Sequence, residues 1–368
     1  MNSEQEKIIA TFSKRSMGAP FLFVPDRYRT GKTSVQPCDL VWACNGCILL
    51  FSMIESGRSR EKMARHNFNH MKGFYKEWQC GRNLKGRNNY SSFDISFDQY
   101  PHKVLISVVN GGDATSELNP VVGEHLATSG CPQPTLCATI SLNVLGYIAD
   151  HAGSVIDLLL FLDELRDPIP AEASLKVIRR MHNLCFNFGQ SERLSVDFRN
   201  NPVMYTLDTV YTALRSGNHP VDSSEETPDS FIPSLLSDLS WSQLIQIVCH
   251  TRNLERKAGS LSPGMLGIRA ASTLLDFRPY LFGLNVSKST GPGDFERFGE
   301  QVGFLQQEIL NHANYRERFS VIFCYNASEQ GHRSFSAFVM PAVDETAPTL
   351  KSQTVALLDG IRTRSSLS

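Results

Sequence analysis

The sequence predicts an α/β protein: an N-terminal mixed sheet in the order α-β-β-β-α-β, then a mainly helical α+β C-terminal region. Three observations predict it. Two apolar runs, Leu40–Cys44 and Cys47–Met53, meet at Asn45-Gly46, the strongest short-range signal for a tight hairpin. Ala64, Phe68, Met71, Tyr75 and Trp78 recur at alternating steps of four and three, one stripe of a helix. Lys103–Val109 is apolar enough to be buried on both faces. A helix leading from the hairpin to such a strand implies a mixed sheet with at least one parallel pair.

The elements follow in order. Ser3 to about Phe12 reads as a helix, with Ser3 and Glu6 in capping-box spacing. Phe21–Val24 is a short strand ended by Pro25-Asp26. The hairpin strands come next, at 39–44 and 47–53, and the helix over 58–78 follows. A Gly/Asn/Ser-rich loop then leads to the strand at 103–109. Residues 110–134, rich in Gly, Pro, Ser and Thr, read as a loop or insertion. Strand structure is expected over 135–148, and a helix over 155–166 that Pro168 and Pro170 stop. Another helix spans 171–188. Residues 216–230 carry acids and prolines and read as a linker. Helices are expected near 240–257 and 294–312, then a hairpin pairing 319–325 with 334–340. The domain reading is therefore 1–110 as core, 111–215 as its extension, 216–232 as linker, 233–342 as an α+β region and 343–368 as a polar tail.

The 368 residues are 41% hydrophobic and 20% charged, ordinary values for a globular protein. The N-terminus is charged and lacks an apolar signal core, and no apolar run reaches membrane-spanning length, so no membrane partner is expected. Nine scattered cysteines fit a reducing compartment, and cytoplasm is the expected location. The net charge of −1 conceals an asymmetry. Arg58, Arg60, Lys62, Arg65, Lys72, Lys76, Arg82, Lys85 and Arg87 stand against only Glu61 and Glu77 in that stretch. Such a run suits phosphate backbones of DNA or RNA, and it is equally what a solvated helix face carries.

One polar residue, Asp39, opens the first hairpin strand. With a two-residue turn Cys44 faces Cys47, and counting back puts Asp39 opposite Ser52. Asp39, Ser52 and Ile54 then line one face. Other motifs carry less. Cys44-x-x-Cys47 has no second ligand pair for zinc and flanks a turn instead of opening a helix. Gly31-Lys32-Thr33 lacks the leading glycine of a phosphate-binding loop, since Asp26 holds that position. His66 and His70 have metal-binding spacing on a helix but no acidic or cysteine partner that the sequence can place.

This element order, with an acid at the mouth of the second strand, resembles the restriction-endonuclease-like PD-(D/E)xK superfamily. Residues 37–56 and 154–167 look like an uncharacterised bacterial nuclease-like group within it. The resemblance covers roughly residues 3–170. It implies that Asp39 takes the place of the metal-binding aspartate, that Ser52 falls where the family has an acid or Gln, and that Ile54 falls where it has lysine. Glu4 or Glu6 would supply an upstream acid. Such sites hold Mg²⁺ on carboxylates while lysine orients the attacking water. Isoleucine does neither, so the motif is degenerate. A migrated cation would be Lys62. The resemblance thus implies a nucleic-acid-binding or scaffolding protein on a catalytically degenerate nuclease-like domain, in a bacterial defence or mobile-element setting. Two alternatives stand beside it. One is an active Mg²⁺-dependent nuclease using Asp39, Ser52, Glu6 and Lys62. The other is a protein-interaction subunit with no nucleic-acid role. No cofactor is expected beyond Mg²⁺ in the active case.

Overall fold

The computed structural model describes residues 21–54, 59–88, 91–109, 115–142, 145, 155–164, 169–170, 237–239, 274–277, 280–289, 319–328, 333–340 and 352–367. The chain divides into two compact units. The first comprises Met1–Asn187, Pro233–Trp241 and Ser352–Ser368, and the second comprises Phe188–Ile232 and Ser242–Lys351.

The first unit is built on a nine-stranded mixed sheet. Its strands in chain order are β1 (Leu22–Pro25), β4 (Leu40–Cys44), β5 (Cys47–Ile54), β6 (Leu84–Arg87), β7 (Ser92–Ile95), β8 (His102–Val109), β9 (Thr115–Leu118), β10 (Leu136–Ser141) and β11 (Ile169–Pro170), with β2 (Tyr28–Thr30) and β3 (Thr33–Val35) forming a separate hairpin. Across the sheet the order is β11-β9-β10-β8-β5-β4-β1-β6-β7. At the centre, β4 and β5 turn through Asn45 (φ 51°) and Gly46 (φ 72°). Two successive positive φ values make the type I′ turn that suits strand twist, and the turn fixes the register of Cys44 with Cys47 and Leu40 with Phe51.

From β5 the chain enters α1 (Arg60–Gln79) and returns as β8, parallel to β5. β10 lies parallel to β8 in turn. The expected stripe of α1 is buried, and Met63, Asn67 and Phe74 join it. With Val41, Ile48, Leu50 and Leu105 these residues form the core on one sheet face. The other face buries Trp42, Leu49, Phe51, Val104 and Ile106 beneath α3 (Val155–Glu164) and α4 (Gln353–Leu367). Every residue of β8 is buried, which accounts for the apolar run Val104–Val109 that only Ser107 breaks.

Several stretches differ from the sequence reading. Residues 110–134 are not a plain loop: they hold β9 and α2 (Pro120–Thr128), with a proline in the first turn of the helix. β9 exists because it pairs antiparallel with β10, a tertiary contact that its four residues do not announce. The Gly/Asn/Ser-rich loop after α1 contains the β6–β7 hairpin. Gly31-Lys32 is the two-residue turn between β2 and β3, with Thr30 opposite Thr33. Residues 353–367, read as part of a polar tail, are the helix α4. The helices read at 3–12, 171–188, 240–257 and 294–312, and the linker at 216–232, lie outside the described residues.

In the second unit the described residues form a four-stranded sheet in the order β12-β13-β14-β15, from Leu274–Phe277, Tyr280–Ser289, Phe319–Ser328 and Arg333–Met340. β13 and β14 are parallel over ten residue pairs, and β14 and β15 form the antiparallel pair that the sequence suggests. No helix among the described residues is long and apolar enough to cross a membrane.

Candidate functional site

The hairpin register brings Asp39 beside Ser52. The Asp39 backbone N–H donates to the Phe51 carbonyl at 2.8 Å, which extends the ladder one residue beyond β4. Its carboxylate Oδ2 accepts the Met53 N–H at 2.6 Å, and the Ser52 hydroxyl also bonds this carboxyl. Burial raises the Asp39 pKa, while the Met53 N–H, the nearby His70 and Ser52 pull the other way.

The same register continues across the sheet. Ser52 pairs with Ser107 of β8, Ser107 with Thr139 of β10, and Thr139 with Glu117 of β9. Ser52, Ser107 and Thr139 are all buried, on the face that α1 covers. A row of hydroxyls inside an apolar core needs partners, and helix and loop supply them. The Asn67 amide donates to Ser107 Oγ at 3.0 Å and to the Val108 carbonyl at 3.1 Å. Thr139 Oγ1 donates to Asn119 Oδ1 at 2.6 Å. The row lies toward the carboxyl ends of the parallel strands β5, β8 and β10, where open α/β sheets hold their ligands. Ser107 was a visible signal, a lone serine amid Val104-Leu105-Ile106 and Val108-Val109; Asn67, inside the apolar stripe, was another.

No family model, curated protein or solved structure matches this chain.

Ile54 is half-buried and packs against the core on the α1 face. An apolar side chain therefore stands two residues beyond Ser52. Lys62 is exposed in the first turn of α1. It lies eight residues, roughly 12 Å of helix, before His70, the group whose charge is felt at Asp39. Among the described residues no three His, Cys, Asp or Glu side chains converge on one point. Among the same described residues the site offers a hard cation one carboxylate, Asp39, beside the Ser52 hydroxyl. Glu4 and Glu6 lie outside the described residues, as does Arg58.

The basic residues do not gather at one point. Lys62, Arg65 and Lys76 share the outward ridge of α1, at steps that keep one helical face. Arg60 and Lys72 are half-buried, and Lys72 Nζ meets His125 Nε2 of α2 at 2.7 Å. Lys85 and Arg87 belong to β6. Carboxylates partner three of the group: Arg65 with Glu61 at 3.6 Å, Arg82 with Glu77 at 3.2 Å, and Lys85 with Asp94 at 3.0 Å. Arg82 also lies over the Tyr28 ring. Exposed pairs of this kind contribute little, so they remain available for exchange with phosphate.

The two cysteines of the hairpin are buried on the opposite sheet face, and burial pushes the Cys47 thiol well up. A thiol held protonated is a poor metal ligand and a poor nucleophile.

Proposed function

We propose that the protein binds nucleic acid through the exposed ridge of α1, on a nuclease-like domain whose hydrolytic site has lost its cation. One observation carries this reading: Asp39 and Ser52 stand side by side on paired strands, with Ile54 packed against the core on the same face. The succession of strands, helix α1 and a strand parallel to β5 supports the kinship with the PD-(D/E)xK superfamily that the sequence suggests. That kinship is also why bacterial defence or a mobile element is the setting we propose. The pairing of Arg65, Arg82 and Lys85 with carboxylates favours a second reading, an interaction subunit whose charge is already balanced.

Fluorescence anisotropy on a labelled DNA duplex, repeated from about 50 to 200 mM salt, separates them. Binding that weakens steeply with salt, and that charge reversal of Lys62, Arg65 and Lys76 together abolishes, is the expected result. Absence of binding at the lowest salt would overturn it in favour of the interaction subunit. Mg²⁺-dependent cleavage of the same duplex that Asp39→Ala removes would overturn the loss of activity.

A further inference from the structure

On the face of the sheet opposite α1, two stretches far apart in sequence close over the tip of the β4–β5 hairpin. Residues 237–239 reach it first. The Asn45 amide donates to Ser237 Oγ at 3.0 Å, and Cys44 Sγ lies 3.5 Å from the same hydroxyl. Ser352, just before α4, donates from Oγ to the Asn45 carbonyl at 3.2 Å. Asp238 joins the two stretches. It is fully buried, and its carboxylate accepts the Gln353 N–H at 2.7 Å and the Thr354 N–H at 2.8 Å. It therefore caps the first turn of α4 from 115 residues away. Further along the helix, Asp359 lies 3.3 Å from Nε2 of the buried His102, whose Nδ1 is 3.2 Å from Thr135 Oγ1. Arg364 reaches Asp163 on α3 at 2.5 Å.

This attachment is unlike the rest of the core. α4 buries Thr354, Leu358 and Ile361, packs Leu357 against the core and sets Val355 against the turn at Gly46, while Ala356, Gly360, Arg362 and Thr363 are exposed. Polar contacts at its start, middle and end do the remaining work. Beneath it sit the Cys47 thiol, wholly buried, and the Cys44 thiol, nearly so. The carboxyl of Asp238 is raised by burial despite its hydrogen bonds, so closing the contact with an ionised Asp238 has an opposing cost.

We propose that Ser237–Leu239 and α4 form a clasp that opens separately from the sheet and so gates access to Cys44 and Cys47. Elements with few buried apolar side chains and polar anchors are those that open locally below the global unfolding limit.

The cysteines themselves supply the test. The full chain is treated with iodoacetamide, and alkylation is followed at each thiol by peptide mass spectrometry. Cys80 is exposed and reports reagent quality, whereas Cys131 and Cys137 are buried on the α1 face and report opening of the sheet. Wild-type Cys44 and Cys47 react more slowly than Cys80 and faster than Cys131 and Cys137. Asp238→Asn sets an amide N–H against a helix N–H and speeds alkylation of Cys44 and Cys47 about fivefold, the worth of one hydrogen bond, with Cys131 and Cys137 unchanged. Arg364→Ala, a milder change at the far end, acts in the same sense. The proposal fails if Cys131 and Cys137 accelerate together with Cys44 and Cys47 in either variant, which would make α4 integral to the fold. It fails equally if Cys44 and Cys47 do not respond.

Discussion

Tyr75→Phe is expected to make this protein more stable. The Tyr75 ring, on the buried stripe of α1, is wholly buried, edge-on to Phe97 at 5.2 Å and to Trp78 at 6.2 Å between centroids. Its hydroxyl finds no hydrogen-bond partner among the described residues. Burial, reinforced by the neighbouring Cys137 and Cys131 thiols, raises its pKa far beyond the physiological range, so the group is a neutral phenol with an unmet donor. An unsatisfied buried polar group costs about 1–3 kcal/mol. Phenylalanine keeps both ring contacts and removes that cost, so a gain near the lower end, about 1 kcal/mol, is expected. For a unit of this size that corresponds to a rise in Tm of roughly 2–4 °C. Urea unfolding followed by fluorescence of the buried Trp42 and Trp78 measures it, with the midpoint raised and the slope unchanged. Tyr75→Leu serves as control, because losing the ring leaves a cavity and costs about 2–4 kcal/mol. A loss of 1 kcal/mol or more in Tyr75→Phe would refute the reasoning, since it would mean that the hydroxyl has a partner.

Asn67→Ala removes the amide that satisfies Ser107 Oγ and the Val108 carbonyl, and a cost of about 2–4 kcal/mol is expected in the same urea assay. A change below 0.5 kcal/mol would show that the hydroxyl row is satisfied without α1. Asp39→Asn tests the carboxyl by pH. Its folded pKa is raised from 3.8, so its contribution to stability is full below that value and is lost as pH rises through the folded pKa. The variant should therefore be more stable than wild type at pH 7, with the difference closing below about pH 4. A gap that widens on acidification would count against the assigned direction.

The hairpin register was legible in the sequence because it depends on local chemistry: Asn-Gly fixes the turn, and the turn fixes every pair back to Asp39 and Ser52. The stripe of α1 and the doubly buried β8 were legible because both signals are carried by side-chain hydrophobicity alone. The β6–β7 hairpin and β9 were not, since short polar strands owe their existence to the neighbours they pair with. α4 was hidden for a related reason. Its composition is mixed, Gly360 interrupts it, and its strongest attachment is to Asp238, distant in sequence. At the candidate site, adjacency of Asp39 and Ser52 followed from counting. His70, Asn67 and Ser107 reach the same row only through the crossover geometry of α1, which no spacing rule supplies.

The first unit takes its last helix from beyond residue 352, after the whole of the second unit's chain. A nascent polypeptide leaving the ribosome thus has its central strands long before Leu358 and Ile361 arrive to cover them. The inserted unit has the opportunity to fold first, while the surrounding one waits with an apolar surface uncovered. Prematurely terminated translation products would retain that surface, making them natural clients for chaperones and proteases.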